Sequence, residues 1–468
     1  MARYIQIMKN QIVRFYKNHT EYIQLYTVAF AMRFVIFAMI LFFVGEKGLE
    51  LGDSINYLDL AHSIQAGQGF AVNGMPFFFR TIGYPLFLVG GLTLFRSIAG
   101  FILFQILFAS LLPLIIKKLS KQLGFSEKVA LLSAYIVALE PHLVFYSVTV
   151  MTESIYTLIL FAGCVCVFQV IQHKKYISSL CAGILFGIGM LIKPLLQAFP
   201  FVVCVSFIPM WKKIQWKDVV KHSAIILAIS FMICMPWMYR NYITFHSFAL
   251  SNQGSGALLG YLGTSIISVR DQIPYADAEK KVLAEFSNTY GENVAISDRG
   301  KLYNIQAIGY LKSYPFIFLK LIAINTVTYW TSSNYNSFLN YYHLVPAIDH
   351  SVLPPTHYLA QGRMREFFTS FWKIFLQPFY IVGVIGRLIW TVIFILFLLG
   401  IWNAFVLHPA IRFHTLFLIA LCVYFTIIVW VDGLGIEARL RYPLMPIEIL
   451  YAVYGWGIVH KKYGIKFK

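Results

Sequence analysis

Charge is what this sequence has least of. Asp, Glu, Lys and Arg together make up 12% of the 468 residues, about half the share of an ordinary soluble domain. Such a chain is built for a solvent other than water. Acidic residues are the scarcer sign, 20 against 38 Lys and Arg. No internal repeat of about 20–50 residues is present, which excludes solenoids and propellers. The six cysteines all lie inside apolar runs. They offer neither a disulfide framework nor metal-ligand spacing, and read as small buried hydrophobes. No small-residue cleavage site follows the first apolar run (26–44), so that run is a retained span and not a removed signal.

What the sequence does have is hydrophobic length. Hydrophobic residues make up 59% of it, and apolar runs of roughly 17–25 residues recur, enough to carry a helix across a bilayer. The runs are continuously apolar and not alternating, which selects helices over a barrel. The fold class is an all-α polytopic membrane protein. A net charge of +18 would suit nucleic acid, but the positives gather at span ends. That is the positive-inside pattern, and it needs no nucleic-acid partner.

The basic loops set the orientation. IIKKLSKQLGFSEK (115–128), HKK (173–175), WKKIQWKDVVKH (211–222) and HKKYGIKFK (460–468) go to the cytoplasm, as do both termini. Spans then fall near 26–44, 99–116, 129–147, 154–172, 177–192, 195–210 and 222–238, and again near 388–405, 412–431 and 444–460. Residues 313–330 and 366–385 are either a hairpin pair or two interfacial elements, for about 10–12 spans in all. GYPLFLVGGLTLF (83–95) is short for a span and reads as interfacial or re-entrant. Arg33, the one charge in the first span, is expected to snorkel to the basic surface. The organisation is thus a basic cytoplasmic segment 1–25, a membrane core 26–240 with a first outer loop at 45–98, an outer loop 241–311, and a C-terminal membrane region 312–468 with an outer loop at 432–442. The plasma (inner) membrane is the expected location.

With that topology, ionisable residues converge on the outer side. LGDSINYLDLAHSIQAGQGF (51–70) carries Tyr57, Leu60, Ala61 and Ile64 at helical spacing, a stripe that would hold a helix flat on the surface. Asp53 at its start is either a helix cap or a reactive carboxylate. MTES (151–154) puts Glu153 at a span mouth, where it either faces the helix dipole or orients a substrate. LEPHL (139–143) sets Glu140 and His142 where ionisable groups are expensive, although Glu140 also suits backbone groups freed by Pro141. IKPLL (192–196), PWMYRN (236–241) and IEARLRYPLMP (436–446) supply Lys193, Arg240, Arg439 and Arg441. Tyr242, Tyr261 and YNSFLNYYH (335–343) read as interfacial belt ahead of a sugar platform.

The run from Asp53 through Tyr57, Ala61, Ile64 and Gly67, followed by FFRTIGYPLFL (78–88), resembles the first outer loop of GT-C type membrane glycosyltransferases. MTES, PWMYRN with SNQGSG (251–256), and ARLRYPLMP follow in the family's order. The resemblance is to the dolichyl-phosphate-mannose–protein mannosyltransferase-like group, which includes bacterial lipid A aminoarabinose transferases. It covers most of 27–265 and returns at 385–460. It implies a GT-C type bundle with outer-face interfacial helices and loops, in which Asp53 is the catalytic carboxylate and Glu153 the second acidic position. It places Arg80, Arg240 and Arg441 around a lipid phosphate; Arg439 and Lys193 stand beside them, and Tyr57, Glu140 and His142 are candidate sugar or acceptor contacts. The family's first acidic pair is here Asp53-Ser54, and no acid-plus-histidine pair stands in the expected places, so the sequence gives no support for a divalent metal. The implied reaction is inverting transfer of a sugar from a polyprenyl-phosphate donor to a lipid, protein or glycan on the outer face. The rival reading is a transporter or flippase of a lipid-linked saccharide. Against it, no inverted repeat or matched pair of broken helices is visible.

Overall fold

The computed structural model describes residues 2–210, 215–333, 335–342, 354–376, 381–409, 411–435 and 438–463. The basic residues of 211–214 and 464–468, used above for orientation, and His343 of the aromatic run lie outside it. Among the described residues the chain is helical apart from one two-residue hairpin, Ala71–Val72 with Met75–Pro76. Asn73 and Gly74 turn that hairpin with φ of 52° and 73°, the left-handed pair that a two-residue turn needs and that Asn-Gly supplies with least strain.

Among the described residues, six helices are long and apolar enough to cross a membrane: Thr20–Phe43, Ile98–Gln122, Glu153–His173, Trp216–Phe245, Ile381–Leu407 and Arg412–Leu434. A bent pair, Asp298–Ser313 with Pro315–Thr331, turns through 99° at its break and would make a seventh if counted as one span. The remaining apolar stretches form shorter helices, among them Gly83–Phe95, Tyr176–Ile192 and Pro194–Phe207. The last two stand where spans were expected near 177–192 and 195–210. The expected span 129–147 departs as well. Its helix stops at Leu139 and restarts at Pro141, because the residue before a proline is driven out of helical geometry. Arg33 also departs from its expected place. It does not reach the basic end but is fully buried, with Nη1 donating to the carbonyls of Ala29 and Ala138, each at 3.0 Å.

Glu153–His173 is the central helix, with 72% of its apolar window buried, against 17% for Ile381–Leu407 at the periphery. Its first residue therefore points into the middle of the bundle. Two loops meet there. Val150, three residues before Glu153, donates its backbone N–H to Leu49 O at 2.8 Å. The Ser54 hydroxyl donates to Val150 O at 2.8 Å and accepts from Leu51 N at 2.7 Å. These bonds sew the entry of Ser54–Gln65 onto the approach to Glu153. Beneath them Gln105, a lone amide in the run FILFQILFA, donates to Ser147 O and Thr149 O at 3.0 and 2.8 Å. Its own carbonyl accepts from the Tyr84 hydroxyl at 2.9 Å. Buried amides hold backbone this way because an unmet group there is costly.

Candidate active site

Asp53 precedes its helix, but its side chain makes no capping bond. It points at two arginines. Arg80 Nη2 donates to Oδ1 at 2.7 Å, and Arg439 Nη2 donates to Oδ2 at 2.5 Å. The capping alternative is thereby removed, and the Ser54 hydroxyl next to Asp53 serves the backbone stitch. Arg439 continues the chain: its Nε donates to Glu153 Oε1 at 2.7 Å. Lys193 Nζ donates to the same oxygen at 3.0 Å, and the Thr152 hydroxyl donates to Oε2 at 3.2 Å. The result is a continuous line of alternating charge, Arg80, Asp53, Arg439, Glu153 and Lys193, with one positive charge in excess.

Local sequence explains each arm. Tyr176–Ile192 ends at Lys193 in extended geometry, as the residue ahead of Pro194 must. Arg80 comes alongside because Gly83 lies against the backbone of Leu191 and Ile192; a Cβ there would fall 2.6 Å from the Leu191 carbonyl carbon. The Arg80 guanidinium rests on the rings of Tyr57 and Phe79, 5.1 Å from each centroid. Arg439 sits in the tight turn Ala438–Arg441, and Tyr442 anchors that turn by donating to Leu143 O at 3.0 Å. Thr152 and Gln105 carried no sequence signal of their own beyond a polar side chain inside or beside an apolar run.

Electrostatics follow the geometry. Burial pushes the Asp53 carboxyl up, but the charges of Arg439 and Arg80 outweigh it and hold the group below its ordinary value. Burial pushes the Tyr57 phenol up to about 12, so it stays neutral under Arg80. Burial alone would make Arg439 easier to deprotonate; Glu153 and Asp53 more than reverse this and keep it charged.

The other expected site residues lie elsewhere. Arg240 grips the base of the small hairpin, donating to Phe77 O and Phe70 O at 3.0 Å each and to Asn241 Oδ1 at 2.9 Å. Its guanidinium also lies over Trp237. Arg441 is fully buried, donating to Trp330 O and, at 2.6 Å, to Ser332 O, with its face 4.0 Å from the Trp390 ring centroid and Nε 3.5 Å from Glu448. Glu140 accepts from Leu143 N at 2.7 Å, which is the backbone role that Pro141 suggested. His142 packs on Phe338 and Tyr335. None of these four joins the line of charge.

Partners separate the two groups of cations. Arg80 and Arg439 bond the carboxylates of Asp53 and Glu153, whereas Arg240 and Arg441 each commit both terminal nitrogens to backbone carbonyls. A buried Nε without a hydrogen-bond partner occurs in both groups, on Arg80 and on Arg441. Guanidiniums beside a positive surplus suit a tetrahedral anion, gripped through paired hydrogen bonds. Among the described residues no group of three or more His, Cys, Asp or Glu could hold a metal ion.

Residues 87–251 match the family model described as dolichyl-phosphate-mannose-protein mannosyltransferase. That stretch contains Glu153, Lys193 and Arg240 and leaves out Asp53, Arg80 and Arg439. The fold is similar to the oligosaccharyltransferase of Archaeoglobus fulgidus in its apo form, at 11% identity and a TM-score of 0.50 over 96% of this chain. A second structure, the archaeal oligosaccharyltransferase from the same organism with an inhibitory peptide and a dolichol-phosphate, gives 13% identity and a TM-score of 0.47, also over 96% of this chain. The chain spans about half the length of each, 51%. No curated protein matches it. The chain thus has the fold of a GT-C type membrane glycosyltransferase, and its residues 87–251 match the protein mannosyltransferase family.

Proposed function

We propose that this protein is an inverting glycosyltransferase that moves a sugar from a polyprenyl-phosphate donor to an acceptor on the outer membrane face. The observation that carries the reading is the line of five charges, with one positive charge in excess. Burying charges costs several kcal/mol per ion and is seldom the cheapest route to stability, so this arrangement points to a ligand. A lipid-linked sugar fits, because its phosphate rides at headgroup depth while its chain stays in the bilayer. Arg80, Arg439 and Lys193 would take the phosphate, whose charge grows as the sugar leaves. Glu153 would hold Arg439 and Lys193 in place, and Arg240 and Arg441 would support the two segments that bear the arginines.

Asp53 would accept the proton of the attacking hydroxyl. At rest it is a weak base, because two arginines stabilise its charged form. A donor phosphate competes for the same guanidiniums, so Asp53 gains basicity when the donor arrives. One carboxylate on the acceptor side and cations on the phosphate side describe a single displacement, unlike the paired carboxylates of a retaining hydrolase.

The test is lipid capture. Purified protein should carry a polyprenyl-phosphate sugar detectable by native mass spectrometry, and Arg439→Ala should lose it while Arg240→Gln keeps it. Capture of the lipid by Arg439→Ala at the unmutated level would remove the phosphate assignment. Movement of the intact sugar lipid across a vesicle without transfer would return the reading to transport.

A further inference from the structure

The residues Leu258–Gly263 form a π-helical turn. Such turns insert an extra residue, re-aim the side chains that follow, and occur often at functional sites. The segment that leads into and out of it, 252–265, is docked on both arginine-bearing segments. On the first side, Asn252 N donates to Phe78 O at 3.2 Å, two residues before Arg80. A Cβ on Gly256 would touch the Phe79 ring at 3.6 Å. On the second side lies Gly433, in the stretch that leads toward Arg439, with φ of +55°. A Cβ there would come 2.8 Å from Tyr261 O and 2.2 Å from Ser265 Oγ. Ser265 completes the joint, accepting from Leu434 N at 2.9 Å and donating to Tyr261 O at 2.7 Å.

Tyr261 sits in the middle of this turn, between the two arms. The residue is 49% exposed, and its hydroxyl makes no hydrogen bond among the described residues. Burial raises its pKa, helped by the charges of Asp432 and Asp53, while Arg80 and Arg439 pull the other way. The phenol therefore shares its surroundings with the charged line. A tyrosine of an interfacial belt would need only the headgroup layer; this one is fastened to the site by both flanks.

We propose that Tyr261 is a sugar-contacting, specificity-determining residue: its ring is the wall against which the pyranose of a polyprenyl-phosphate donor rests. The proposal rests on the phosphate reading above. With phosphate on Arg80 and Arg439, the sugar extends toward the base. An aromatic face offers its negative quadrupole to the polarised C–H bonds of a sugar ring, and the phenol offers one polar contact to a sugar hydroxyl.

Two lipids test it on the full purified chain: undecaprenyl phosphate, and undecaprenyl phosphate bearing mannose. Tyr261→Ala should weaken the glycosylated lipid by about five- to tenfold, the worth of one aromatic contact, and leave undecaprenyl phosphate unchanged. Tyr261→Phe should restore most of the loss. Equal weakening of both lipids would make Tyr261 a structural residue and overturn the proposal; so would no change in either. Arg439→Lys separates this from the underlying reading, because it should weaken both lipids alike. If it does and Tyr261→Ala does nothing, the phosphate site stands without Tyr261. If the unmutated protein binds neither lipid, the phosphate reading falls and the proposal falls with it.

Discussion

At Asp53 two guanidiniums share one carboxylate, and this has a consequence in acid. The folded pKa lies below the ordinary value, which is about 3.9. Asp53 therefore contributes stability that is fully present above that ordinary value and is lost as pH falls through the depressed one. The stability difference between the unmutated protein and Asp53→Asn should be flat above about pH 5 and shrink below pH 4. Thermal unfolding across that range checks it; a difference that grows in acid would contradict the ion-pair account. The cations differ in a way that sequence did not show. Arg240 and Arg439 both read as arginines at a span mouth, and only the fold shows that one binds carbonyls of the hairpin while the other bridges two carboxylates. Arg439→Lys keeps charge but loses the fork that reaches Asp53 and Glu153 together, so donor binding should fall at least tenfold, about 1.4 kcal/mol. Arg240→Lys should instead lower the unfolding temperature with donor affinity nearly kept. Titration calorimetry with undecaprenyl phosphate would show whether the order is the reverse.

Among the elements, the stitch beneath the site is the most exposed to a single change. Gln105 meets two carbonyls and one hydroxyl, so Gln105→Leu leaves three buried groups unmet. Each such group costs about 1–3 kcal/mol. The variant should lose several degrees of unfolding temperature and also turnover, since the Ser147–Val150 loop positions Glu153. Full turnover in a destabilised variant would show that the loop is scaffold only. The helix that would span 129–147 ends at Leu139, ahead of Pro141, a signal present in the sequence but outweighed there by hydrophobic length. The alternative left open for 366–385 is also narrowed. Met364–Phe375 exposes Met364, Phe368, Phe371, Trp372 and Phe375 along one side and buries Ser370 on the other, the form of an interfacial helix; residues 377–380 lie outside the described ones.

For the whole molecule, hydrophobic length and the spacing of basic loops made the helical membrane architecture legible, because a bilayer imposes both on any chain that crosses it. Asp53, Glu153, Lys193 and Arg439 could each be picked out as an ionisable residue in a greasy chain, Arg80 only through the family resemblance, and the fold brings all five together. Their pairing could not be read, because it depends on contacts between residues up to 386 positions apart. The burial of Arg33 was hidden for the same reason: its partner carbonyl is on another helix. Topology gives a prediction at this scale. Single cysteines at Asn73 and Asn293, both exposed, should react with a membrane-impermeant reagent from the outer side. Labelling only after the inner face is opened would invert the arrangement.

The most direct measurement is the rate of polyprenyl phosphate release from a polyprenyl-phosphate sugar in membranes that carry the native acceptor, comparing the unmutated protein with Asp53→Asn at equal donor occupancy. A general base positioned as Asp53 is should be worth about 10²–10⁴-fold. The account predicts a loss of that size with donor binding retained. A near-normal rate from Asp53→Asn, accompanied only by lower thermal stability, would contradict it and leave the line of charges as a structural clamp.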